Sequence, residues 1–293
     1  MMRTPVRVVF AGMFVAVAGF AAPVAGTSQR GTPAAARPTG ETVTLAGLQC
    51  SVWRPAAARA PLVVFSHGFH GNRNQSTFLT DALARAGYFV IAPDHKDAMG
   101  KGTMAATMRP ELPFGQADRW NDTTYKDRAN DIGTLVAALK TDPRFSSAID
   151  WSRVALAGHS LGGYTVLGLA GAWPSWKMPD IKAVLALSPV ASPYLHHGDL
   201  AHLACPVMYQ TGTTDLGIAP FLRRPGGAWD QTHGPAYLVD FEGAAHFAWT
   251  DLNTKFQPAI VDYALAFLNR HVQGDPHADP AARHAGVADL RVK

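Results

Sequence analysis

The sequence predicts an α/β protein, with a mostly parallel central sheet covered by helices on both faces. Two observations carry this. From about residue 41, short and continuously apolar runs alternate with longer stretches of helical period, the order expected of parallel strands joined by helical crossovers. The runs are apolar at successive positions, as strands buried on both faces are. At 293 residues and 47% hydrophobic, the chain is long enough to bury one large core.

The N-terminus holds Arg3 and Arg7, then no charge from Val8 to Gln29, with small residues from Ala21 to Gly26. A basic start, an apolar stretch and small residues are the parts of a secretory signal peptide, expected over residues 1–26. A flexible leader is expected over 27–40, the catalytic domain over 41–271 and a loose tail over 272–293. The protein is thus expected to be secreted or periplasmic, with no stable membrane insertion once the signal is cleaved. The formal charge of +4 includes Arg3 and Arg7 of the expected signal peptide, so the mature chain is only mildly basic and a nucleic-acid partner is not expected.

Within the domain, residues 42–53 read as a hairpin turning near Gly47. Residues 62–66 ("LVVFS") and 88–92 are buried strands, with a helix over 78–86 stopped by Gly87. A long irregular stretch follows Pro93 as far as about Asp122, then a helix over 124–140. Strands follow at 154–157, 181–187, 207–210 and 237–241, with helices at 161–172 and 257–270.

The junction "VALAGHSLGGY" is the most informative segment. A buried strand runs into Gly158-His159-Ser160-Leu161-Gly162, a G-x-S-x-G pattern, and a helix follows at once. A serine there occupies a sharp turn with its hydroxyl above the sheet, and flanking glycines let strand and helix approach closely. The helix start leaves the Leu161 N–H free to face a negative oxygen. A serine nucleophile needs a general base and an orienting carboxylate, here expected later in the chain in the order acid, then histidine. The loop after "VMYQTG" carries Asp215 and the loop after "YLVDF" carries His246. Asp240 and Glu242 compete for the acid role, but they lie on or beside the strand before His246. The second oxyanion donor is expected from the loop "SHGFHGN", at the Phe69 N–H, with His67 holding the loop.

"VVFSHGF", "GYFVIAPDH", "RVALAGHSLGG", "YQTGTTD" and "GAAHF", in this order, resemble the α/β-hydrolase superfamily. Within it the chain is similar to bacterial dienelactone-hydrolase-like and platelet-activating-factor-acetylhydrolase-like serine esterases, although the elbow residue is Ser160 where true dienelactone hydrolases have cysteine. The resemblance implies a Ser160–His246–Asp215 triad cleaving carboxylic esters through an acyl-serine, with no cofactor and no metal. The substrate partner would be a small apolar ester or a polyester. A lipase or a cutinase-like extracellular polyester depolymerase is the alternative, and a non-catalytic binding protein on the same fold is disfavoured by the triad order. Met104, Met108 and Trp249 are candidate walls of an apolar pocket. The "HHGDLAH" segment, His196 to His202, is read as a solvated loop. The strand order that the resemblance implies separates Cys50 from Cys205 beyond disulfide reach.

Overall fold

The computed structural model describes residues 40–100 and 108–293. The expected signal peptide, most of the leader and Met104 lie outside the described residues. Among the described residues, nine strands form one sheet in the order β1-β2-β4-β3-β5-β6-β7-β8-β9. These are β1 (Glu41–Leu45), β2 (Leu48–Trp53), β3 (Ala60–Ser66), β4 (Phe89–Pro93), β5 (Ile149–His159), β6 (Ile181–Leu187), β7 (Val207–Gly212), β8 (Ala236–Phe241) and β9 (Val287–Val292). The six central strands, from β4 across to β8, are parallel, and the two ends of the sheet are antiparallel.

The alternation of side chains along each buried strand sorts them onto two helical layers. Leu62 and Val64 of β3 belong with α2 (Lys126–Thr141) and α3 (Leu161–Leu167). Val63 and Phe65 belong with α1 (Thr77–Arg85) and α6 (Gln257–Leu268). On α2 the inward stripe is Arg128, Ile132, Leu135, Val136 and Leu139, all buried. This is a helical spacing, and its first member is an arginine. At the β1–β2 turn, Ala46 and Gly47 both have positive φ, at 53° and 79°. Positive φ at both central residues gives the primed turn that matches the twist of a two-residue hairpin.

The tail departs from expectation. Residues 272–293 are not loose throughout, because β9 pairs antiparallel with β8 from Tyr237↔Val292 to Phe241↔Val287. The Lys293 Nζ donates to the carbonyls of Trp229 and Thr232 at 2.7 and 3.0 Å. The polar composition misled because an edge strand needs to bury only one residue in two or fewer. Here Leu290 is the one residue of β9 that is mostly buried, while the backbone ladder supplies the binding. Cys50 lies on β2 and Cys205 just before β7, five strand spacings or about 24 Å apart across the sheet. Both are free thiols.

Candidate active site

Ser160 sits between β5 and α3 at φ 55° and ψ −115°, an unfavourable conformation for a residue with a Cβ. Tight packing on both sides holds it there. A Cβ on Gly158 would lie 2.3 Å from the Gly162 carbonyl oxygen. One on Gly162 would lie 1.9 Å from that of Ser66, and one on Gly163 2.5 Å from the Pro189 Cβ. The glycines therefore allow α3 to start against the ends of β3 and β6. Backbone bonds complete the turn, from Ser160 N–H to Leu187 O at 2.9 Å and from Val190 N–H to Ser160 O at 3.0 Å.

The expected partners meet there. Ser160 Oγ lies 2.9 Å from His246 Nε2, and His246 Nδ1 lies 3.0 Å from Asp215 Oδ2. Asp215 follows β7 and His246 follows β8, so both side chains arrive from the C-terminal ends of parallel strands, the end at which Ser160 also sits. With the imidazole proton on Nδ1 and donated to the carboxylate, Nε2 accepts from the serine hydroxyl. Asp240 is elsewhere, on β8 in an ion pair with Arg223, and Glu242 is exposed.

Two further residues join this line. Ser188, at the end of β6, donates its hydroxyl to Asp215 Oδ2 and lies 3.0 Å from His246 Nδ1. His159 is buried, and its Nδ1 accepts from Gln75 Nε2 at 3.0 Å while its Nε2–H donates to the His246 carbonyl at 2.9 Å. Burial, and next the neighbouring His246, lower the His159 pKa to about 3, so it stays neutral. Gln75 also accepts from the Gly68 N–H at 2.9 Å, which ties the loop after β3 to the histidine pair.

That loop brings Gly68 against Ser160: a Cβ on Gly68 would stand 3.2 Å from the Ser160 Cβ. The Phe69 amide follows directly, and Leu161 opens α3, where first-turn N–H groups have no intrahelical acceptor. Ser66, His95 and Asp131 repeat the same residue types at 3.0 and 2.8 Å, but Ser66 and the His95 side chain are wholly buried. Burial and the nearby Arg128 keep His95 neutral. A serine that no carbonyl carbon can reach is part of the packing, whatever its partners.

Ser160 opens into a cleft of about 940 Å³ walled by Phe69, Phe114, Val190, Ile218, Phe221 and Phe247. Two of the expected wall residues lie elsewhere. Trp249 is fully buried beneath His159 and donates its indole N–H to Gln210 Oε1 at 3.0 Å. It closes the short helical turn His246–Trp249, and its indole packs edge-on against Phe241 of β8, which places it in the core. Met108 does not line the cleft; its carbonyl accepts from His70 Nε2 at 3.0 Å. Of the "HHGDLAH" segment, His196 lines the cleft, whereas His202 pairs with Asp199.

Gln75, Ser188, Asp97 and Arg128 were not anticipated from the sequence. Arg128 had a visible signal, a charge on an otherwise apolar helical stripe. Ser188 had none, since it follows an apolar strand as many loop serines do.

Residues 57–211, more than half of the chain, match the family described as serine aminopeptidase, S33 (Hydrolase_4). The chain belongs to this α/β-hydrolase family. Its more distant relatives include Cutinase 2 of Thermobifida cellulosilytica and Cutinase cut1 of Thermobifida fusca. Each is 27% identical over 216 residues, or 73% of this chain, and the match covers 69% and 56% of their respective lengths. Cutinase est2 of Thermobifida alba is 26% identical over 221 residues, with 60% of its length covered. These relatives carry the name cutinase, and the likeness to dienelactone-hydrolase-like and platelet-activating-factor-acetylhydrolase-like esterases finds no support among them. Among the described residues, no helix of the α/β-hydrolase is long and apolar enough to cross a membrane.

Proposed function

We propose that this α/β-hydrolase is an exported serine ester hydrolase acting on apolar esters, polyesters among them. The observation that carries the reading is the Ser160–His246–Asp215 line, at 2.9 and 3.0 Å, opening into a mainly apolar cleft. As Ser160 Oγ attacks the ester carbonyl carbon, its proton passes to His246 Nε2, and Asp215 stabilises the imidazolium through Nδ1–H. The carbonyl oxygen becomes an oxyanion facing the N–H groups of Phe69 and Leu161, fixed donors in a site of low dielectric. His246 then returns the proton to the leaving alkoxide. A water, deprotonated by the same Nε2, releases the acid from the acyl-serine.

The cleft argues for an uncharged substrate. Of the carboxylates lining it, Asp215 is engaged by His246 and Ser188, and Asp118 is solvent-exposed. Leu216 and Phe247, 76% and 60% exposed, stand next in sequence to Asp215 and His246 and line the same cleft. Such an apolar rim suits contact with a polymer or lipid-like ester, and the relatives named as cutinases support that substrate class.

The test compares nitrophenyl esters of increasing acyl length, an amorphous polyester film and an aminoacyl nitroanilide on the wild type and on Ser160→Ala. Ester and film hydrolysis should be lost in Ser160→Ala by on the order of 10⁴-fold or more, together with fluorophosphonate labelling. Retention of a tenth of the ester activity removes Ser160 as nucleophile. A higher kcat/KM on the anilide than on every ester replaces the esterase reading with a peptidase.

A further inference from the structure

Arg128 is 0% exposed, and its buried pairing with Asp97 does not by itself explain its presence, because desolvating an ion pair commonly costs as much as the pairing returns. Its Nε and Nη2 donate to the two Asp97 oxygens at 3.1 and 2.8 Å. The rest of the guanidinium faces the loop after β3, with Nη1 donating to the His67 carbonyl at 2.8 Å and Nη2 to the Gly68 carbonyl at 3.3 Å.

The Gly68 carbonyl receives two more donors. His67 Nδ1 lies 2.7 Å from it, and the Gly71 N–H donates at 2.9 Å. The proton on His67 is placed by its other nitrogen: Nε2 accepts from the His95 N–H at 3.1 Å, so Nδ1 carries the hydrogen. Burial, and then the Arg128 charge, push the His67 pKa well below its ordinary value, which keeps this neutral tautomer in place.

Three donors on one carbonyl oxygen far exceed what a loop needs for its own satisfaction. The Gly68 carbonyl and the Phe69 N–H are the two ends of one planar trans peptide, so fixing the oxygen fixes the direction of the N–H on the opposite side. A cation behind the oxygen also polarises the amide and strengthens its N–H as a donor.

We propose that Arg128 and His67 are positioning residues for the oxyanion hole: by gripping the Gly68 carbonyl from behind they aim and polarise the Phe69 N–H. The proposal rests on the reading of Phe69 as an oxyanion donor. Neither side chain touches substrate. Their effect is confined to the state in which the carbonyl oxygen carries charge, so it acts on kcat and leaves KM nearly alone.

The test uses the full chain with His67→Phe, which fills the space without a donor, His67→Asn, whose amide N–H can still reach the Gly68 carbonyl, and Arg128→Lys. Each is assayed on a nitrophenyl ester and for affinity toward a phenylboronic acid, which forms a tetrahedral adduct on the serine. Folding is checked by circular dichroism and thermal melting. For folded His67→Phe, kcat should fall on the order of 10²-fold with KM within about threefold, and boronate affinity should fall in step. His67→Asn should recover about tenfold of that loss, and Arg128→Lys should lie between it and the wild type. Folded His67→Phe and Arg128→Lys with kcat and boronate affinity within about threefold of wild type overturn the proposal, as does a loss confined to KM. Ser160→Ala separates this from the esterase reading: without Ser160-dependent turnover in the wild type, that reading fails first, and with it the clamp is judged on its own variants.

Discussion

Replacing Gly162 by alanine tests the packing that shapes the elbow. The new Cβ would lie 1.9 Å from the Ser66 carbonyl oxygen, 2.5 Å from the Ser66 carbonyl carbon and 2.7 Å from the His67 carbonyl oxygen. Non-bonded heavy atoms settle near about 3.5 Å, so β3 and α3 must separate by more than about 1 Å. All three clashing atoms are backbone, and no rotamer change relieves them. Ser66 and His67 are fully buried, which leaves no free direction for the movement. Overpacking of this kind costs about 1–3 kcal/mol, equivalent to a fall in Tm of roughly 3–10 °C for a domain of this size. The same shift moves Ser160 away from the Gly68–Phe69 peptide, and a displacement of about 1 Å costs on the order of 10²-fold in kcat. Gly133 provides the control, since it lies inside α2 and a Cβ there meets nothing within 4 Å. Gly133→Ala should raise stability by about 0.5–1 kcal/mol and leave kcat unchanged. Thermal melts and nitrophenyl-ester kinetics on both variants decide the matter. Gly162→Ala with Tm within about 2 °C and kcat within about twofold of wild type would refute the close-packing argument.

Asp215→Asn should leave His246 without the carboxylate that fixes its tautomer, with a loss of kcat approaching ~10⁴-fold by analogy with other triads. Asp240→Asn should instead lower Tm through the lost Arg223 pair and leave turnover within about tenfold, and the reverse ranking in ester kinetics would move the acid to β8. Burial alone would raise the Asp97 carboxyl, but the Arg128 guanidinium holds it down at about 2, below its ordinary value of 3.8. The folded state therefore favours the carboxylate, and this contribution, roughly 2 kcal/mol, is present above about pH 4 and lost as pH falls through about 2. Urea melts across that window should show a steeper acid loss in wild type than in Asp97→Asn, and equal slopes would contradict the pairing. Burial pushes both the Cys50 and Cys205 thiols up to about 12. Iodoacetamide at pH 8 should then label neither in the native protein and both after denaturation, and a reductant-dependent Tm would instead indicate a disulfide.

Much of this protein is legible in one dimension because its constraints are local. A strand buried on both faces is apolar at most positions, so β3, β4, β6 and β7 announce themselves as largely apolar runs. A serine turned at the head of a helix needs glycines two residues to either side, so Gly158, Ser160 and Gly162 are recognisable as a group. Asp215 and His246 could be picked out because parallel strands deliver their following loops to one edge of the sheet, and chain order then orders the candidates. Other features depend on contacts between distant segments. β9 is polar in composition, and only the open edge of β8 makes it a strand. Trp249 reads as a cleft wall from its place after His246, yet the turn there points it into the core. Ser188 meets Asp215 and His246 only because β6 lies beside both β5 and β7. Arg128 and Gly68 are 60 residues apart, and nothing in the local sequence of either says that a helix on one layer of the sheet will set a guanidinium behind the Gly68 carbonyl, beside Ser160. Spacing along the chain determines what each segment can become. Which buried polar groups find each other is decided by the packing of layers, because a donor and acceptor brought together across a sheet leave no periodic trace in either segment.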